Sequence, residues 1–329
     1  MSASETRSAE DRLIAEIFAP LATHPGALGL TDDVAVLTPE PGTDLVLTTD
    51  GVICGVHFFA DDDARDVARK VLRMNLSDLA GKGASPRGFL VSVALPGEIG
   101  LDWLRRFADG LRADAEEFGC PLLGGDTDRT PGPISVSVAM LGVVPKGHLV
   151  RRVGARPGDL VFVSGTIGDA ALGLQLRKGA EWHLNEAQRS HLLSRYRLPR
   201  PRSPLAQAVR THASAAMDVS DGLVGDLTKL CRVSQVAAGV QIARVPLSDA
   251  AQAALAADAS LREAVLTGGD DYEILCSVPP DKAASFRAAA NASEVEVTEI
   301  GEISAGQGAR FADADGRDLS FGKLSFSHF

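Results

Sequence analysis

Residues 64–80, Ala-Arg-Asp-Val-Ala-Arg-Lys-Val-Leu-Arg-Met-Asn-Leu-Ser-Asp-Leu-Ala, are the stretch whose reading decides the fold. Set at about 100° per residue, they form an amphipathic helix. Val67, Ala68, Val71, Leu72, Met74 and Leu79 share one broad apolar arc. Asp66, Arg69, Lys70, Arg73 and Ser77 share the other. Asn75 and Asp78 fall inside the apolar arc, where this patterning should exclude them. Two readings of Asp78 stand. It tips to solvent at the helix end or pairs with Lys82 four residues on, or it is a carboxylate turned inward towards a ligand. Burying a carboxylate is expensive unless it is paired or holds a metal.

Working outward, further acids sit at the ends of strand-like apolar runs. Thr31-Asp-Asp33 enters a predicted strand Val34–Leu37. Leu45-Val-Leu-Thr-Thr-Asp50-Gly reads as a strand over Leu45–Thr49 that ends on an acid. Thr48, Thr49 and Asp50 offer oxygens suited to one hard cation; the plain alternative is an Asp-Gly turn. In Leu122-Leu-Gly-Gly-Asp126-Thr, two glycines let the backbone approach a ligand, or simply make a tight turn. Ala216-Met-Asp218-Val-Ser-Asp221-Gly-Leu ends a strand and opens a helix at Gly222. Its Asp221 reads as an N-cap, which leaves Asp218 unexplained, and the helix start offers N–H groups to an anion. Thr267-Gly-Gly-Asp270-Asp271-Tyr leads into another strand. Acids recurring at such places point to hard divalent cations, and cations held this way commonly handle phosphate.

The pattern between these segments alternates helix and strand. A helix over 9–22, a helix over 64–80, a strand Phe89–Leu95, a helix over 101–118 and a strand Ile134–Val144 make a first half. The basic, turn-rich stretch 145–158 is the expected junction. A second series follows: a strand Leu160–Ser164, helices near 168–178, 186–196 and 203–211, a strand ending at Met217, a helix from Gly222 and a strand 239–245. Helices to 266, a strand Tyr272–Val278, a helix over 281–291 and closing strands complete it. The expectation is an α/β (α+β) chain with domains 1–147 and 148–329. The 329 residues suffice for two cores, and a net charge of -10 with pI near 5.2 argues against nucleic acid as a partner. Cys54, Cys120, Cys231 and Cys276 form no CxxC pair, so no zinc site or disulfide framework is indicated. The N-terminal residues lack the apolar core of a signal peptide, and no run is long enough to span a membrane. A cytoplasmic protein is expected.

Other motifs lead nowhere. Residues 142–148 imitate a P-loop but carry His148 where Lys is required. Asp313-Ala-Asp-Gly316 lacks the later calcium ligands and reads as a hairpin turn. Asp61 to Asp63 cap the helix that follows. No nucleophile–base pair stands out, so no residue is assigned as a protein nucleophile or general base. Phosphoryl transfer needs neither, because it works by positioning and charge neutralisation.

In order, TDDVAVL (31–37), TTDGVICGVHF (48–58), NLSDLAGKGASP (75–86), GGDT (124–127), RRVGARPGD (151–159), MDVSDGL (217–223) and GGDDYEIL (268–275) span most of the chain. Together they resemble the thiamine-monophosphate kinases, a family in the aminoimidazole ribonucleotide synthetase superfamily. The resemblance implies a two-domain fold whose N-terminal mixed sheet contributes to a dimeric barrel, with a C-terminal α/β domain. It further implies a homodimer that uses ATP and several Mg²⁺ ions to phosphorylate thiamine phosphate. By the same resemblance Asp33, Thr48, Thr49, Asp50, Asp78, Asp126, Asp218 and Asp221 are the metal set. Gly125, Asp126, Arg152 and Ser220 are nucleotide contacts, and His57, Asp270 and Phe326 are substrate contacts.

The chain departs from that pattern in places. Thr31 stands where the family usually has Gly, Asp270 where it often has Glu, and Phe326 where it usually has Tyr or Trp. Alternatives are another ATP-dependent synthetase of the superfamily or a non-catalytic Mg-nucleotide-binding protein. The hydrogenase-maturation member is expected to end in Cys rather than Ser-His-Phe. A selenophosphate synthetase is expected to carry a reactive Cys in a glycine-rich N-terminal segment.

Overall fold

The structure, a computed structural model, describes residues 12–326. They form two compact units, residues 12–75 with 86–143 and residues 76–85 with 144–326. The expected first helix lies partly outside the described residues. What is described of it is a helical run through Ile14–Phe18 and Ala19–Leu21.

The first unit is built on a four-stranded sheet. Its elements are β1 (Thr43–Ile53), α1 (Ala64–Gly81), β2 (Ser85–Leu95), α2 (Leu101–Glu117), β3 (Leu122–Arg129) and β4 (Ser135–Pro145). The strand order is β1-β4-β2-β3. β2 and β3 run parallel, in register Val91 with Gly125 and Ser92 with Asp126. Parallel neighbours need a crossover, and α2 supplies it. Alternation along the strands buries Val52, Phe89, Val91, Val93, Val136, Val138 and Met140 on one face. The other face stays open and carries Leu45, Leu47, Ile53 and Leu90, all exposed.

Several expectations for this unit need correcting. Val34–Leu37 is not a strand: Val34 and Val36 are 61% and 54% exposed, and Val36 N–H donates to Gly26 O. Among the described residues the apolar run pairs with no strand, so its backbone is not satisfied as a ladder. Asp50 does not end β1, which continues through Ile53. Gly124, Gly125 and Asp126 lie inside β3 and make no turn. The polar arc of α1 is not solvated either: Lys70, Arg73 and Ser77 are buried. Arg69 Nε and Arg73 Nε bond the buried Asp114 carboxylate at 2.8 and 2.6 Å, and Lys70 Nζ donates to His57 O at 3.0 Å. A wheel assigns polarity but does not register a partner helix that brings its own acid.

The second unit is a six-stranded sheet with helices on both faces. In order come β5 (Leu160–Ser164), α3 (Asp169–Arg177), α4 (Glu186–Arg197), α5 (Ala206–His212), β6 (Ala215–Val219) and α6 (Leu223–Ser234). Then follow β7 (Ala237–Gln241), α7 (Asp249–Ala257), α8 (Arg262–Thr267), β8 (Glu273–Val278), α9 (Pro280–Ala292), β9 (Val297–Ser304) and β10 (Gly308–Ala312). The expected strand over 239–245 starts earlier and gives way to the 3-10 turn Ile242–Arg244. The sheet order is β10-β7-β9-β5-β8-β6, with only β10 and β7 parallel. The period of two sorts the core. Val161, Val163, Met217, Val219 and Leu275 meet Leu223 and Leu227 of α6. Phe162, Ala216, Ile274 and Cys276 meet Val209 of α5 and Phe286 of α9. Ala80, near the end of α1, joins this second cluster.

Candidate functional site

In the first unit, Asp33, Thr49, Gly125 and Asp126 line one cavity of about 840 Å³ on the open face of the sheet, with Ser92 and Ser137 among them. Gly125 is required there, because a Cβ would stand 1.9 Å from Val91 O of the paired strand. The glycine lets β2 and β3 approach closely at this point. Asp126 accepts from Thr127 N–H at 3.0 Å and is exposed. Thr48 and Asp50 are separated from this group. Successive strand residues point to opposite faces, so the side chains of Thr48 and Asp50 lie on the opposite side of β1 from Thr49. Asn75 Oδ1 accepts from Asp50 N–H at 3.0 Å, and Asn75 donates to Val71 O. This resolves one misfit of the helical wheel: Asn75 tethers α1 to β1. His57 follows in the turn after β1, where its Nδ1 accepts from Ile53 N–H at 3.0 Å.

In the second unit, β6 places Asp218 on the same face as Ala216, towards the end of α1. Ser77 Oγ donates to Asp218 Oδ2 at 2.8 Å, and Lys82 Nζ donates to Ala216 O at 2.8 Å. Burial, followed by the negative charge of Asp78, pushes the Asp218 carboxyl up to about 7. Burial and then the charge of Arg152 lower Lys82. Asp78, Lys82, Arg152 and Asp218 thus form one electrostatic neighbourhood. Lys82 was visible in the sequence only as the i+4 neighbour of Asp78.

The loop after β6 differs from its expected form. Asp221 is not the helix cap, because Gly222 holds that position without a side-chain bond. Lys229 Nζ bonds Asp221 Oδ2 at 2.5 Å and Asp226 Oδ1 at 2.9 Å, while Asp226 Oδ2 accepts from Asp221 N–H. The start of α6 is therefore served by its own carboxylate. Asp226 and Lys229 went unread in the sequence, although their i,i+3 spacing on a helix was the available signal. The 268–272 segment folds onto this loop. Asp270 N–H donates to Ser220 O at 2.9 Å, and Tyr272 N–H to Val219 O at 2.8 Å. Phe326 N–H donates to Asp221 O at 3.0 Å, and the Phe326 side chain is half exposed. Arg152 is exposed, and its carbonyl accepts from Ser234 Oγ at 3.4 Å.

The structure thus gathers Asp33, Thr49, Gly125 and Asp126 in the first unit. In the second it gathers Asp78, Arg152 and Asp218 around Lys82, and Ser220, Asp221, Asp270 and Phe326 around one loop. Among the described residues no three His, Cys, Asp or Glu are grouped closely enough to hold an ion by themselves. The donor chemistry still fits magnesium. All the donors are hard oxygens, and magnesium is usually held by one or two carboxylates with waters and substrate phosphates rather than by an all-protein cage. The buried Asp218 beside Asp78 is a pair of acids whose repulsion a cation would offset.

Comparison with known proteins gives the family. The model for the N-terminal domain of AIR synthase related proteins matches residues 31–144, and that for the C-terminal domain matches residues 156–313. Thiamine-monophosphate kinase of Caulobacter vibrioides is 45% identical over 319 residues, 96% of this chain and 89% of that protein. The crystal structure of thiamine-monophosphate kinase from Stenotrophomonas maltophilia K279a superposes with a TM-score of 0.83 at 38% identity, over 94% of this chain and 96% of that one. AaThiL, complexed with AMPPCP and TMP, superposes with a TM-score of 0.78 at 31% identity, over 91% of each chain.

Proposed function

The chain belongs to the AIR synthase related family, and from that premise we propose that it acts as a thiamine-monophosphate kinase. It transfers the γ-phosphoryl group of ATP to thiamine phosphate, giving thiamine diphosphate. The observation that carries this reading is the end-to-end likeness, at 45% identity, to a curated relative of that activity. The complex of AaThiL with AMPPCP and TMP supports ATP and thiamine phosphate as the two substrates.

The acceptor is a phosphate with a second pKa of ~6, so it is already ionised at neutral pH and needs no general base. The barrier is repulsion between two anions. Asp33, Thr49 and Asp126 in the first unit, and Asp78 and Asp218 in the second, would hold magnesium, as would Thr48, Asp50 and Asp221. Bound there, magnesium supplies neutralisation of that charge. Gly125 and Asp126 in the first unit, and Arg152 and Ser220 in the second, would contact the nucleotide. Ser220 brings the nucleotide loop against the acceptor loop through the Asp270 N–H. His57, Asp270 and Phe326 recognise thiamine phosphate, the aromatic ring stacking on the cationic acceptor. Asp270 is shorter by a methylene than the Glu usual in the family, and Phe326 stacks without donating a hydrogen bond.

The protein works as a cytoplasmic homodimer in this reading. The open sheet face with Leu45, Leu47, Ile53 and Leu90 supports a partner, because such a face is costly to leave in water. Among the described residues no helix is long and apolar enough to cross a membrane. The test is ATP turnover with and without thiamine phosphate, with thiamine diphosphate identified as product. Nucleotide binding without acceptor-dependent turnover would favour a non-catalytic nucleotide-binding protein instead.

A further inference from the structure

Between the acceptor loop and β8 lies a buried polar cluster that the proposed chemistry does not use. Asp271 is fully buried. Its Oδ2 accepts from Gly168 N–H at 2.8 Å, and its carbonyl accepts from Arg195 Nη2 at 3.0 Å. The same Arg195 Nη2 reaches Glu273 Oε1 at 3.0 Å, and Arg202 bonds Glu273 at 2.6 and 2.5 Å. Asp271 is therefore pinned through both its side chain and its backbone. The residues on either side of it are held in the left-handed region, Asp270 at φ 73° and Tyr272 at φ 52°. For a bulky aromatic that conformation is a genuine outlier, of order 1–3 kcal/mol, and persists only where the surroundings impose it.

The cluster is not optimised for stability. Asp271 Oδ1 and Arg195 Nη1 are buried without a hydrogen-bond partner among the described residues, an arrangement that a purely structural core avoids. The strained turn has a definite product. It presents Asp270 N–H to Ser220 O and brings Asp270 Oδ1 to 3.4 Å from the Tyr272 hydroxyl. Gly269 admits this contact, since a Cβ there would stand 2.4 Å from Ser220 O.

We infer that Asp271 and Tyr272 are positioning residues for the acceptor. Asp271, clamped by Gly168 and Arg195, imposes the left-handed turn, and the Tyr272 hydroxyl steers the Asp270 carboxylate towards thiamine phosphate. This rests on the reading of Asp270 as an acceptor contact. Neither residue touches the reacting atoms, and the Asp270 carboxylate is the group they orient, so the effect falls first on acceptor recognition, with the neighbouring Ser220 reached only through its backbone carbonyl.

The experiment compares Asp270→Ala, Asp271→Ala, Asp271→Asn and Tyr272→Phe, with kcat and both KM values measured on the full-length enzyme and thermal melting as a fold control. Tyr272→Phe keeps the ring and is the variant to rely on where Asp271→Ala does not fold. The expected result is a KM for thiamine phosphate raised about tenfold or more in Asp271→Ala and about threefold in Tyr272→Phe. The KM for ATP moves less than twofold, and Asp271→Asn, which keeps an acceptor for Gly168 N–H, recovers most of the Asp271→Ala loss. Equal movement of both KM values, unchanged KM values beside a lowered melting point, or no recovery in Asp271→Asn overturns the inference. If Asp270→Ala is itself unimpaired, the acceptor reading fails and takes this inference with it. If Asp270→Ala is impaired and the Asp271 and Tyr272 variants are not, the inference alone fails.

Discussion

Replacing Asp218 by Asn should make the metal-free protein more stable, by an amount that depends on pH. Asp218 is 6% exposed, and burial with the Asp78 charge raises its carboxyl from the ordinary 3.8 to about 7. The folded state therefore keeps a proton that the unfolded chain releases above about pH 4. The stabilisation tied to that proton is complete below the unfolded value and is lost as pH rises through about 7. At ~1.36 kcal/mol per unit, the ionised carboxylate costs the fold a few kcal/mol at pH 8 and markedly less at pH 5. Asn removes this cost while its carbonyl still accepts from Ser77 Oγ. Urea unfolding in chelator should show Asp218→Asn ahead of the parent by a margin about 2–3 kcal/mol larger at pH 8 than at pH 5. Adding Mg²⁺ at pH 8 should narrow the gap by stabilising the parent. An equal gain at both pH values, or no gain at pH 8, would refute the assignment of Asp218 as a carboxylate strained for lack of a cation.

Other substitutions read other parts of the structure. Asp78→Asn should cut turnover by about a hundredfold or more, the scale of a lost electrostatic contact to the transition state, with the melting temperature unchanged; wild-type-like turnover removes Asp78 from the metal set. Gly125→Ala places a Cβ 1.9 Å from Val91 O and should lower stability by about 1–3 kcal/mol through overpacking, together with weakened ATP binding in calorimetry. Asp114→Ala leaves Arg73 buried without its bidentate partner and should cost about 3–5 kcal/mol in urea unfolding; a cost below ~1 kcal/mol would mean that the pair is solvated.

The helices over 64–80 and 101–118, the strand Phe89–Leu95 and most of the second series were legible because their apolar periods are long and regular. Glycines next to acids marked the loops at 220–222 and 268–271, but those at 50–51 and 124–126 lie inside strands. Val34–Leu37 misled for the opposite reason: an apolar run becomes a strand only when a neighbour satisfies its backbone, and among the described residues no strand pairs with it. Thr48, Thr49 and Asp50 are adjacent in the chain, yet the strand pleat turns Thr49 away from the other two. Asp221 read as a cap, but Lys229 one helical stretch later claims its carboxylate.

The sequence by itself therefore determined most of the element types and the family, because both follow from local pattern and residue chemistry. Only the tertiary structure decided what the acids face. Ser77 reaches Asp218 across 141 positions of chain, and Arg195 reaches Asp271 across 76. No local pattern encodes such contacts, because burial, partner and pKa are set by whichever distant segment the packed core brings alongside.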